Sequence, residues 1–96
     1  MNRKYELTYV IRLESNDDAT KESINQVHSW VEEDGVSKII KADHWGRRKL
    51  AYEINGQREG YYVVLEAEID TNHLPELERN LKLSESVLRY LVIRPD

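Results

Sequence analysis

Tyr5, Leu7, Tyr9, Ile11 and Leu13 alternate with Glu6, Thr8, Val10 and Arg12, a period of two that predicts a first strand with one face in a core. Glu14-Ser15-Asn16-Asp17-Asp18 then supplies turn and N-cap side chains. From Thr20 the spacing of Ile24, Val27 and Val31 is helical, and Gly35 stands where a left-handed C-terminal cap would end that helix. Val36 to Ile54 reads as a long second strand, interrupted at Gly46 by a bulge or sharp bend, after which Leu50, Tyr52 and Ile54 resume the apolar alternation. Asn55 to Gly60 reads as a hairpin loop, because Asn-Gly favours positive φ. Tyr61, Val63, Leu65, Ala67 and Ile69 form the apolar face of the next strand. Asp70-Thr71-Asn72 offers a cap, Pro75 suits a first turn, and Leu74, Leu77 and Leu81 make the stripe of a second helix that ends near Leu83. Ser84-Glu85-Ser86 connects it to a final strand over Val87 to Arg94.

The order βαββαβ predicts an α+β, ferredoxin-like sandwich, with a four-stranded antiparallel sheet, both helices on one face and the other face open. The chain has 96 residues and no repeat, composition break or low-complexity stretch, so residues 1–96 are expected to form one domain. No apolar run approaches the ~20 residues that span a bilayer, and no signal-peptide core follows Met1. No membrane partner is expected, and a cytoplasmic location is. The absence of cysteine removes disulfides, thiolate nucleophiles and the common zinc ligand sets.

Charge changes the picture by its distribution. The net charge of −4 argues against nucleic acid, since phosphate affinity comes largely from lysine and arginine. Yet Glu14 to Asp34 carries Glu14, Asp17, Asp18, Glu22, Glu32, Glu33 and Asp34 against Lys21 alone, whereas Lys38 to Lys49 carries Lys38, Lys41, Arg47, Arg48 and Lys49 against Asp43 alone. Such asymmetry allows one face that repels RNA and another that docks on it, although charge runs are commonly just solvated surface.

The fold leaves function open, so particular residues must decide. A phosphatase of this architecture needs a phosphate-cradling loop after the first strand, and here that loop is acidic. His28, His44 and His73 fall in three different elements without ligand spacing, and are read as a helix-surface, a strand and a first-turn residue. Glu66 and Glu68 share one strand face and are read as solvated rather than as paired catalytic carboxylates. An RNA recognition motif would need stacking rings on the open face. The candidate Arg58-Glu59-Gly60-Tyr61-Tyr62-Val63-Val64-Leu65 puts Val64 where a second ring belongs, and Glu6, Thr8, Val10 and Arg12 include no aromatic, so a stacking platform on these strands is weak. No catalytic residue, metal ligand, cofactor or small-molecule substrate is expected. Trp45-Gly46-Arg47-Arg48-Lys49-Leu50-Ala51-Tyr52 is the strongest local signal. It reads either as a mounted phosphate clamp or as an edge strand guarded by charge. Three consecutive strand cations share a face only if the glycine bend re-aims them.

That segment, with Gly60-Tyr61-Tyr62, Leu77-Glu78-Arg79, Val87-Leu88-Arg89-Tyr90-Leu91-Val92 and the opening Arg3-Lys4-Tyr5-Glu6, resembles the bacterial-type family of protein six of the small ribosomal subunit, in order and spacing over essentially the whole chain. The resemblance implies a non-catalytic structural protein of the small subunit. Such a protein pairs with protein eighteen of that subunit and binds the central domain of its ribosomal RNA. It also implies candidate RNA contacts at Arg3, Arg47, Arg48, Lys49, Arg89 and Arg94, with Arg47 at a position that need not be basic in the family, and candidate partner contacts at Trp45 and Tyr62. The sequence ends at Asp96 without the C-terminal tail of many relatives. The alternative from outside this family is a dimerising module of the same fold that binds a small ligand or another protein.

Overall fold

The computed structural model describes residues 1–95. In chain order its elements are β1 (Asn2–Arg12), α1 (Asp17–Glu32), β2 (Lys38–Ile54), β3 (Gln57–Asp70), α2 (Leu74–Leu83) and β4 (Val87–Ile93). The strands form one sheet in the order β2-β3-β1-β4, with every neighbouring pair antiparallel. This is the expected ferredoxin-like arrangement.

Alternation makes the core. Tyr5, Leu7, Tyr9 and Ile11 of β1 and Val63, Leu65, Ala67 and Ile69 of β3 are buried on the central strands, and their register runs unbroken from Asn2 opposite Asp70 to Arg12 opposite Gly60. Thr20, Ile24, Val27 and Val31 of α1 and Leu77 and Leu81 of α2 close the same side. Because strand side chains alternate faces, the remaining β1 and β3 positions define an open face that no helix covers. β2 is an edge strand with no fully buried residue; only Ile39 and Ala42 pack part-way against the core.

Local hydrogen bonds, turn geometry and one terminal contact sharpen the element boundaries read from the sequence. Within the expected cap cluster Asn16 is the N-cap: its side chain accepts from the Ala19 N–H at 2.8 Å, so α1 begins at Asp17. Asp70-Thr71-Asn72 does not cap α2: His73 is the N-cap residue, without a side-chain cap bond, while Asp70 Oδ1 accepts from Asn72 N–H at 2.9 Å in its own turn. The hairpin loop contracts to Asn55-Gly56, whose φ values of 49° and 80° are those of a two-residue turn with both central residues left-handed, so Gln57 to Gly60 lengthen β3. β1 starts earlier, at Asn2, because Asp70 and Thr71 anchor Met1: its amino group lies 3.5 Å from the Asp70 carboxylate, and its carbonyl accepts from Thr71 N–H at 3.1 Å.

Candidate nucleic-acid interface

The basic run of β2 is laid out by two irregularities in its pairing with β3. The ladder skips one residue between Ile39 and Lys41 and another between His44 and Gly46. Gly46 has φ of 80° with open space around it, so glycine is needed there for the backbone bend alone. Beyond the bend Arg47 lies opposite Tyr61, Arg48 opposite Gly60 and Lys49 opposite Glu59. Tyr61 belongs to the core-side row of β3, so Arg47 and Lys49 share the helix side and Arg48 projects from the open face. The bend therefore does not gather the three cations. Arg47 lines a cleft of about 320 Å³ beside Glu14, Asp17 and Lys21, at the start of α1.

On the open face Arg48 lies over the Trp45 ring at 5.1 Å from its centroid, within the range of a cation–π contact. A second such pair joins Arg89 of β4 to Tyr52 of β2 at 6.0 Å. β3 and β1 stand between those strands, so in a flat sheet β2 and β4 would be about 14 Å apart at ~4.8 Å per strand. The contact therefore shows that the outer part of the β2–β3 hairpin arches across the open face. Gly60 lies beneath it: a Cβ there would overlap the side chain of Val10 and approach the Ile11 carbonyl oxygen to 3.3 Å. Val10 is only 2% exposed although it faces away from the core, because this close approach covers it. Tyr62 sits opposite Val10, and Arg89 flanks Val10 on its other side.

Arg3 and Arg94 stand elsewhere. Arg3 pairs with Ile69, and Arg94 follows the last β4 pair, Ile93 with Glu6. Both are exposed at the far end of the sheet, Arg3 about 30 Å and Arg94 about 24 Å along the β1 direction from Arg12. Among the described residues no ion pair involves an arginine: the three present join the amino terminus to Asp70, Lys38 to Glu68 and Lys41 to Asp43. Of the sequence candidates, the structure brings Arg48, Arg89, Trp45 and Tyr62 to one end of the open face. It also adds Arg12 and Tyr52, which sequence reasoning passed over. Arg12 looked like an ordinary polar position of β1, and Tyr52 like an anchored one; Tyr52 is in fact 62% exposed.

The helix side revises the readings of His28 and His73, while His44 is the strand residue expected. His28 is half-buried, not a plain surface residue, with Nε2 2.9 Å from the Tyr9 hydroxyl, and its ring centroid is 6.4 Å from that of His44. His44 Nδ1 is 3.3 Å from the Tyr61 hydroxyl. Burial first, then His44, lowers the His28 pKa, against a raising influence of Glu32. Burial likewise pushes the Tyr9 phenol well up, with Tyr61 adding to it, so Tyr9 stays neutral. His73 is buried, and its Nε2 lies 2.7 Å from the Trp30 carbonyl oxygen, tying the start of α2 to α1. No group of three or more histidine, aspartate or glutamate side chains among the described residues is placed to hold a metal ion, and none of their helices is long and apolar enough to cross a membrane.

Fold and site define a small α+β protein with unpaired arginines, Arg12, Arg48 and Arg89, on an open sheet face. Residues 4–94 match the family model described as Ribosomal protein S6. The chain is 40% identical to small ribosomal subunit protein bS6 of Fusobacterium nucleatum, over 98% of this chain and 99% of that one, and 38% identical to that of Carboxydothermus hydrogenoformans over 100% and 99%. The crystal structure of 30S ribosomal protein S6 from Thermotoga maritima superposes with a TM-score of 0.88 at 29% identity, covering 99% of this chain and 89% of that one. The chain belongs to the ribosomal protein S6 family. It is thus a structural, non-enzymatic component of the small ribosomal subunit, a particle that in bacteria is cytoplasmic.

Proposed function

We propose that residues 1–96 act as one domain that binds the central domain of small-subunit ribosomal RNA jointly with protein eighteen of that subunit. The observation that carries this reading is the absence of any ion pair to an arginine among the described residues, together with the placement of Arg48 and Arg89 on the open face, each against an aromatic ring. Unpaired guanidinium groups remain free to displace counterions from RNA phosphates. Arg48 and Arg89 serve as the principal phosphate contacts. Arg47 and Lys49, on the helix side of the β2 edge, make at most weak contacts with RNA, and Arg3 and Arg94 form a separate contact at the far end. Trp45, half exposed beside that edge, and Tyr62 are the contacts offered to the protein partner. Acidic α1 keeps the helix side away from RNA and attracts a basic partner.

The test is binding to a central-domain RNA fragment, with and without protein eighteen, across a salt series, comparing wild type with Arg48→Ala/Lys49→Ala. Partner-dependent binding that weakens with salt and drops in the double variant is expected. No binding under any condition would overturn the reading and favour the dimerising module.

A further inference from the structure

The end of the open face beneath the hairpin holds an arginine with no protein partner. Arg12 lies opposite Gly60, which has no side chain to cover it, and Gly60 lies opposite Arg48. Arg12 Nε is buried without a hydrogen-bond partner, and its two amino groups, also unpaired among the described residues, remain open to solvent. Arg89, opposite Val10, stands on the diagonal from Arg12, roughly 8 Å away. Three arginines thus occupy neighbouring strand positions on the open face, while the open-face carboxylate of β1, Glu6, lies six residues and about 20 Å from Arg12. A cation beside other arginines, with a buried unpartnered Nε and no ion pair among the described residues, is an anion site awaiting its anion.

The second observation is Tyr52. Arg89 lies against its ring, and 62% of the residue is exposed, which leaves ring surface for a second partner. A duplex presents phosphates but hides the faces of its bases, whereas an unpaired nucleotide presents both a phosphate and a π-face. The sheet platform of an RNA recognition motif is incomplete on β1 and β3, where Tyr62 is the one open-face ring, and the arching hairpin adds a ring from β2.

We infer that Arg12, Arg89 and Tyr52 form a site for one unpaired RNA nucleotide, with the base stacked on the exposed ring of Tyr52 and the phosphate held by Arg12. This deepens, and rests on, the RNA-binding reading above. The base completes a stack of nucleobase, Tyr52 and the Arg89 guanidinium. The phosphate meets the Arg12 amino groups and neutralises the charge that the buried Nε shares.

Titration of the isotope-labelled chain with oligouridine of about six nucleotides, followed by NMR, tests this. The Arg12 Nε–H and Tyr52 ring resonances are expected to shift together, and a blunt RNA duplex of equal charge is expected to move them far less. Arg12→Met, which keeps the buried stem, should weaken oligouridine binding about ten-fold and lower the slope of log affinity against log salt by about 0.7. Tyr52→Ala should weaken binding while leaving that slope unchanged. Unshifted Arg12 and Tyr52 signals, or equal shifts with duplex, would overturn the site, and if central-domain RNA with protein eighteen still binds, the broader reading survives. Failure with every RNA overturns both.

Discussion

The Nε2 atom of His28 on α1 lies 2.9 Å from the hydroxyl of Tyr9, a side chain of β1 with no solvent exposure. This bond joins helix to sheet at a titratable group whose charged form is disfavoured by burial and by His44. With the folded-state pKa below the ordinary 6.5, the unfolded chain binds the proton more readily. The stabilisation is therefore full above about pH 6.5 and is lost as pH falls from there toward the folded value. Thermal melts between about pH 7.5 and 5.5 should show falling stability, with a shallower fall in His28→Gln. An NMR titration of His28 with its midpoint at or above 6.5 would contradict this.

Gly60 allows β3 to pass close over Val10. Gly60→Ala is expected to cost about 1–3 kcal/mol by overpacking, since the colliding atom is a branched, buried side chain rather than a flexible end. The double variant Gly60→Ala/Val10→Ala should recover part of that loss, giving a favourable coupling in a double-mutant cycle. Strict additivity in chemical denaturation would show that the two residues do not meet.

At the opposite end of the sheet, buried Ser37 donates its hydroxyl to Asp34 Oδ2 at 2.7 Å and accepts from Asp70 N–H at 3.0 Å, linking the turn after α1 to the end of β3. Ser37→Ala should destabilise the fold by about 1–3 kcal/mol. Burial acts to raise the Asp34 pKa, but hydrogen bonds from Ser37 and Val36, aided by His73, bring it below 3.8. Its contribution is present above about pH 3.8 and lost as pH falls further. In Ser37→Ala the Asp34 titration should move upward, and an unmoved titration would deny the hydroxyl that role.

Arg47, Arg48 and Lys49 are neighbours in sequence but divided between faces. If RNA lies on the open face, Arg48→Ala should weaken binding about ten-fold, and Arg47→Ala or Lys49→Ala each by less than about two-fold. Equal losses for all three, measured at one ionic strength, would place the RNA around the β2 edge instead.

The Asn16 cap supplies a smaller check. Its side chain closes the first turn of α1, so Asn16→Ala should cost about 1 kcal/mol in chemical denaturation, and Asn16→Ser much less. An unchanged midpoint in the alanine variant would mean that the acidic first turn sustains the helix start without it.

The βαββαβ order and the core rows of β1 and β3 were legible in the sequence, because strand alternation and helical spacing are local periodicities and both central strands bury one face along their length. The need for glycine at positions 35, 46 and 56 was equally legible, since a left-handed φ is a property of one residue, and all three carry it. What tertiary structure alone decided lies across strands. Which face receives Arg48 depends on counting ladder irregularities in β2, and one skipped residue reverses every side chain after it. That Tyr52 meets Arg89, 37 positions later, depends on the hairpin arching over two intervening strands, and that His28 meets His44 depends on how α1 lies across the sheet. Periodicity states which residues must leave water; only the register and bending of the sheet state which of the others meet.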